Sequence, residues 1–160
     1  MPSLAVVLMV EDREDDVLVL RRAFRAVGIL NPVIVAQTGE EAISYLEGKG
    51  KYARRSEFPL PRLILLDLKM PGMDGFDVLK WIRSREELAG ISVIVLTSSD
   101  SLKDIQRAYR LGANSFIVKE IEFQDVVTMS KMLKEYWLGL NKAYQVERRD
   151  ESERSGRDVS

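Results

Sequence analysis

Residues 62–75 read RLILLDLKMPGMDG: a run of branched apolar side chains stops at one acid, Asp67, and gives way to a turn containing Pro71, Gly72 and Gly75. An apolar run without polar alternation, too short for most helices, suits a β-strand covered on both faces. Residues 63–68 are therefore expected to be a strand of a parallel sheet with Asp67 near its carboxyl end. The same pattern recurs along the chain. Residues 4–10 end at Glu11-Asp12, residues 33–36 follow Asn31-Pro32, residues 92–96 end at Thr97-Ser98-Ser99-Asp100, and residues 115–118 end at Lys119.

Helical periods fill the gaps. Over residues 14–27, Val17, Leu18, Leu20, Ala23, Phe24 and Val27 follow helical spacing, and Gly28 supplies a stop. Thr38 with Glu41 three residues on forms a capping pattern for a helix that turns Ala42, Ile43 and Leu46 inward. Residues 76–82 place Val78, Leu79 and Ile82 on one face, and Asp100 or Ser101 can cap a helix over 102–111 closed by Gly112. Residues 50–61, GKYARRSEFPLP, show no period and read as a long exposed loop, with Lys51, Arg54 and Arg55 solvated. A last helix is expected over 122–144. Residues 145–160 are charged, Ser-rich and nearly free of apolar side chains, a disordered tail after a domain spanning 1–144.

Five strands alternating with five helices imply a mostly parallel α/β sheet with helices on both faces, because right-handed crossovers leave few other topologies. Such sheets bind ligands at the carboxyl ends of their strands. There the chain puts Glu11 and Asp12, Asp67, Thr97 and Ser98, and Lys119 on one rim.

Composition narrows the chemistry. The 160 residues are 46% hydrophobic and 31% charged, which suits a core of useful size, and 24 basic against 25 acidic residues leave a formal net charge of -1. No global field points to nucleic acid or an anionic membrane. The chain has no Cys and no His, which removes disulfides, thiolate or imidazole metal ligands and Ser/His or Cys/His catalytic pairs. The opening MPSLAVVLMVEDRED lacks a basic stretch and turns acidic early, so a cytoplasmic protein with neither signal peptide nor membrane span is expected.

Three carboxylates on one rim repel one another unless a cation sits among them, and all-oxygen ligands favour a hard ion such as Mg2+ (or Mn2+). Asp12 and Asp67 are expected as direct ligands, Glu11 through a water, and the backbone carbonyl of Lys69 as a further oxygen. Lys119 can bind phosphoryl oxygens, the Thr97 hydroxyl can donate a hydrogen bond, and Ser98 is small enough to leave an approach path. Phosphoryl transfer onto the Asp67 carboxylate then depends mainly on positioning and charge neutralisation.

The motifs VLMVED (residues 7–12), LLDLKMPGMDG (65–75), VIVLTSS (93–99) and GANSFIVK (112–119) together resemble the receiver domain of two-component response regulators, over roughly residues 4–140. The resemblance implies a doubly wound, CheY-like (βα)5 fold with strand order 2-1-3-4-5 and, here, an extended last helix. It also implies that a sensor histidine kinase phosphorylates Asp67, that Glu11 and Asp12 are the acidic metal pair, and that Lys119 binds the phosphoryl group. Thr97 matches the switch hydroxyl and Phe116 the aromatic rotamer switch, although an aromatic in a short strand is more often core. Such a protein is not a conventional enzyme: it catalyses only its own phosphorylation and dephosphorylation. Family experience makes Lys69 and Ser99, two residues past Asp67 and Thr97, tune dephosphorylation, and neither is an acid or amide that would orient water, so a long-lived phosphoryl group is expected.

Two departures stand out. Glu120 follows Lys119 where family members usually carry proline, so the bond is expected to be trans. The loop after the second helix is long. With Asp15-Asp16 and an aromatic-rich last helix, it looks like the stand-alone regulators paired with bacterial phytochromes and hybrid kinases. Asp15 and Asp16 themselves read as first-turn acids that suit the helix dipole.

The last helix, roughly 23 residues or ~34 Å long, exceeds what a short-stranded sheet covers. Its apolar excess, including Met132, Tyr136, Trp137 and Leu140, together with Tyr109, reads as a homodimer or partner surface. Rival readings are weaker. A degenerate receiver acting as a scaffold would not need Asp67 and Lys119. An aspartate-nucleophile phosphohydrolase resembles D-x-D, but Lys69 holds the second position. A flavin binder would need a Gly/Ser/Thr phosphate loop after the first strand, and the residues after Tyr144 are too few and too polar for DNA binding.

Overall fold

The structure is a computed structural model that describes residues 4–119 and 122–138. In chain order it contains β1 (Val7–Val10), α1 (Glu14–Ala26), β2 (Val33–Ala36), α2 (Gly39–Glu47), β3 (Leu63–Leu66), α3 (Gly75–Ser84), β4 (Ser92–Thr97), α4 (Leu102–Arg110), β5 (Ser115–Val118) and α5 (Phe123–Leu133). All pairings are parallel and the strand order is β2-β1-β3-β4-β5, as expected.

Both faces of the three inner strands are buried, which explains their unbroken apolar runs. Leu8, Val10, Ile64, Leu66, Val93 and Val95 point into one core with the inner faces of α2, α3 and α4. Their neighbours Val7, Met9, Leu63, Leu65, Ile94 and Leu96 point the other way, against Leu20, Ala23 and Phe24 of α1 and Val126 and Leu133 of α5. Alternation is present, but both alternatives are apolar.

Local capping largely follows the sequence. Thr38 Oγ1 accepts the Glu41 amide at 3.0 Å while Glu41 Oε2 accepts the Gln37 amide at 3.0 Å. At α3, Asp74 and Asp77 form a reciprocal capping box. Ser101 occupies the cap position of α4, but its side chain makes no capping bond.

Three expectations need correction. Leu4 is half exposed and β1 starts only at Val7. Leu18 does not face inward: it is 58% exposed, because it lies off the stripe that carries Leu20, Ala23 and Phe24. Residues 50–61 are not simply an exposed loop. Arg55 donates to the carbonyls of Tyr45 (2.8 Å) and Leu46 (2.7 Å), which lie in the last turn of α2, and to Phe58 O (3.0 Å). The Tyr45 and Leu46 carbonyls belong to the last turn of α2, where a helix has no i+4 amides of its own to offer. Tyr45, Tyr52 and Phe58 pack edge-to-face with centroids 5.0–6.3 Å apart, and the Tyr45 hydroxyl donates to Pro59 O at 2.6 Å. Lys51 and Arg54 are exposed as anticipated.

After Leu133 the last helix continues as a π-helical turn, Lys134–Leu138, and the Lys134 ammonium donates to Val27 O at the end of α1, 2.8 Å away. Met132 and Tyr136 are 65% and 64% exposed, and Tyr109 on α4 is 49% exposed. The Trp137 side chain, Leu140, the Lys119–Glu120 bond, the remainder of the expected helix to 144 and the tail lie outside the described residues.

Candidate phosphoacceptor site

The sheet ladder continues past the strand ends and sets the height of the rim. The Glu11 amide donates to Ala36 O (2.9 Å), that of Asp67 to Val10 O (3.1 Å) and that of Lys119 to Thr97 O (2.7 Å). The ends of β1, β3 and β5 thereby present a glutamate, an aspartate and a lysine toward one point. The Lys119 ammonium donates to Glu11 Oε2 at 2.5 Å, Asp16 Oδ2 at 2.8 Å and Asp67 Oδ2 at 3.3 Å.

These groups are nearly dry. Glu11, Asp67 and Thr97 are buried, and Lys119 is mostly so. Burial holds the Glu11 carboxyl up at about 7; the Lys119 hydrogen bond opposes this and the Asp67 charge adds to it. For Lys119 burial acts downward, but the hydrogen bonds to Asp16 and Glu11 and the charges of Asp67 and Glu11 outweigh it, so the ammonium is held above its ordinary value. One cation is shared by three acids. That arrangement keeps a crowded carboxylate set compatible with the fold.

Glu11, Asp12 and Asp67 each offer a carboxylate oxygen, all within 4.8 Å of one another. Asp12 Oδ1 is buried and has no hydrogen-bond partner among the described residues. An orphaned buried carboxylate oxygen beside two others is the donor chemistry a hard divalent cation requires, so these residues fit one. Thr97 Oγ1 is likewise buried without a partner. Ser98 beside it is exposed, and Phe116 is half-buried against the α3–α4 side of the core.

Asp16 belongs to this rim, contrary to its reading as a simple first-turn acid. The signal was helical phase: position 16 precedes Leu20 by four and so lies on the sheet-facing stripe of α1, whereas Asp15 is exposed. Lys69 contributes a backbone contact, its amide donating to Asp67 Oδ1 at 3.3 Å, while its side chain turns outward to Asp104.

The fold is thus a doubly wound parallel α/β domain whose carboxyl rim carries a buried acid, a lysine and a buried threonine hydroxyl. The response regulator receiver domain family model matches residues 7–131, and the chain belongs to that family. It is 38% identical over 141 residues to the "Probable methanogenesis regulatory protein FilR2" of Methanothrix harundinacea, covering 86% of each chain. It is 32% identical over 133 residues to the response regulator Rcp1 of Synechocystis, covering 83% of this chain and 88% of that protein. The Mn(2+)-bound form of Rcp1 superposes with TM-score 0.76, over 85% of this chain and 96% of that one. The phosphorylated cyanobacterial phytochrome response regulator RcpA superposes with TM-score 0.78 at 33% identity, over 85% of this chain and 95% of that one. Homologues therefore include phytochrome-associated regulators.

Proposed function

We propose that this chain is a stand-alone response regulator that takes a phosphoryl group from a phosphohistidine of a sensor kinase onto Asp67. The observation that carries the reading is the buried Asp67 carboxylate sharing the Lys119 ammonium beside the unpartnered Thr97 hydroxyl. An Asp67 carboxylate oxygen attacks phosphorus; the P–O bond forms as the P–N bond to the donor imidazole breaks, and the imidazole leaves with its electron pair and takes up a proton. Lys119 leaves its carboxylates in part to meet the phosphoryl oxygens, and Thr97 donates its hydroxyl to one of them. Mg2+ or Mn2+, held by Asp12 and Asp67, by Glu11 through water and by the Lys69 carbonyl, would offset the charge between nucleophile and phosphoryl group.

The added charge biases a pre-existing equilibrium, with Thr97 and Phe116 as its switch. Moving a population from 1:99 to 99:1 takes about 5.5 kcal/mol, so Lys119, Thr97 and the metal ligands must change contacts together. Relatives that include a phytochrome response regulator support a bacteriophytochrome or hybrid kinase as donor. No helix among the described residues is long and apolar enough to cross a membrane.

The test is labelling of the purified protein by a small-molecule phosphodonor and by an autophosphorylated bacteriophytochrome kinase. One alkali-labile phosphoryl group per chain is expected, and none should be incorporated when EDTA removes the divalent ion before the donor is added. Failure of every donor with Mg2+ present would leave only a scaffold role.

The exposed Met132 and Tyr136, with Tyr109, support homodimerisation through the α4 and α5 surfaces. Gel filtration at micromolar concentration should show a dimer in at least one phosphorylation state. A monomer in both would refute the interface.

A further inference from the structure

One carboxylate on α4 holds side chains from two strand ends. Asp104 Oδ2 accepts the Ser99 hydroxyl at 2.6 Å and lies 3.3 Å from the Lys69 ammonium. Lys69 and Ser99 stand two residues beyond Asp67 and Thr97. The Lys69 amide already touches Asp67 Oδ1, so its side chain starts beside the phosphoacceptor and then leads away. Among the described residues the cation within 4.0 Å of the Asp67 carboxylate is Lys119. The Ser99 hydrogen bond holds the Asp104 carboxyl below the ordinary aspartate value; burial, the next largest effect, opposes it, and the contact and charge of Lys69 and the charge of Arg107 add to the lowering.

We infer that Asp104 is a positioning residue for the lifetime of the aspartyl phosphate: it holds the Lys69 ammonium against α4 and off Asp67. The inference rests on Asp67 being the phosphoacceptor. A phosphoryl group carries about -1.5 to -2 charges at neutral pH and competes with the single charge of Asp104 for Lys69. Released from Asp104, the Lys69 ammonium makes a charge-assisted hydrogen bond to a phosphoryl oxygen and obstructs one approach of water to phosphorus. The turn-off rate therefore depends on where α4 sits. By reciprocity, a partner that moves α4 alters the lifetime, and phosphorylation alters the affinity for that partner.

Asp104→Asn keeps the size of the side chain and an acceptor for Ser99 but removes the charge that retains Lys69. With the small-molecule donor removed after labelling and Mg2+ kept present, its phosphoryl half-life should lengthen about two- to fivefold, the range a half-exposed ion pair can impose. In a Lys69→Ala background the same substitution should leave the half-life unchanged. A general loss of negative charge would act in both backgrounds, so equal lengthening in both overturns the inference, as does no lengthening in either. Lys69→Ala alone, which does not depend on the folding of Asp104→Asn, should give a half-life no longer than that of the native chain; a longer one also overturns it. A native chain that takes no label at all would instead refute Asp67 as the acceptor.

Discussion

Asp67→Asn is expected to abolish Mg2+-dependent labelling while leaving the protein folded. The carboxamide has almost the shape of the carboxylate, and the backbone contact that fixes the strand end, the amide to Val10 O, is untouched. What disappears is the anionic oxygen proposed to attack phosphorus and to hold the metal; a neutral amide oxygen does not attack phosphorus and is the weaker metal ligand. The native Asp67 carboxylate bonds the Lys69 amide with one oxygen and the Lys119 ammonium with the other. The substituted side chain has one acceptor for two donors, and Lys119 retains Glu11 and Asp16.

Stability should not fall. The charge of Asp67 is among the causes that hold the Glu11 carboxyl up at about 7, so removing it relieves repulsion in a buried cluster. A gain on the order of 1 kcal/mol is expected at neutral pH, read from urea unfolding without metal. An Asp67→Asn protein that labels as fully as the native chain would place the acceptor elsewhere. One that fails to fold would mean that the carboxylate is structural.

The parts of this protein legible in its sequence are those in which one physical requirement dictates residue type. Strands buried on both faces must be apolar throughout, so β1, β3 and β4 announce themselves, and where each run stops a polar residue marks the rim. Asp67 and Thr97 could be aligned because each directly follows or closes such a run, and Lys119 because it follows the short apolar run of the half-buried edge strand β5. Asp16 could not be separated from Glu14 and Asp15 by residue type, since all three acids suit the first turn of α1 and only helical phase turns one of them to the rim. Arg55 was opaque for another reason. Its partners are backbone carbonyls at the end of α2, which every helix has and no sequence pattern displays. Asp104 combines both difficulties, being a first-turn acid whose partners come from loops after two other strands.

Gly75→Ala should damage both stability and phosphorylation, although it adds a single methyl group. Gly75 opens α3 without a left-handed φ, so its role is not conformational freedom, which in this turn belongs to Gly72 at φ 75°. A Cβ on Gly75 would overlap the carbonyl oxygen of Asp67 and lie 2.7 Å from Leu68 Cα. Both obstacles are backbone and cannot rotate away. The strand end is tied to β1 through the Asp67 amide, and the Gly75 amide donates to Leu68 O at 3.1 Å, so relief requires α3 to back off from the strand. That motion pulls Val78, Leu79 and Ile82, all fully buried, out of register with the core. The expected cost is about 3 kcal/mol, at the upper end for overpacking by one methyl group. A shift of about 1 Å in the Asp67 carbonyl would also slow labelling by up to about a hundredfold. Gly90→Ala separates this close approach from any general loss of a glycine, since nothing lies within 4 Å of its added Cβ and its φ is not positive. It should be neutral or slightly stabilising. Urea unfolding and labelling rates of the two variants decide the matter: a Gly75→Ala protein as stable and as quickly labelled as Gly90→Ala would show that α3 is not seated on β3 as tightly as this contact requires.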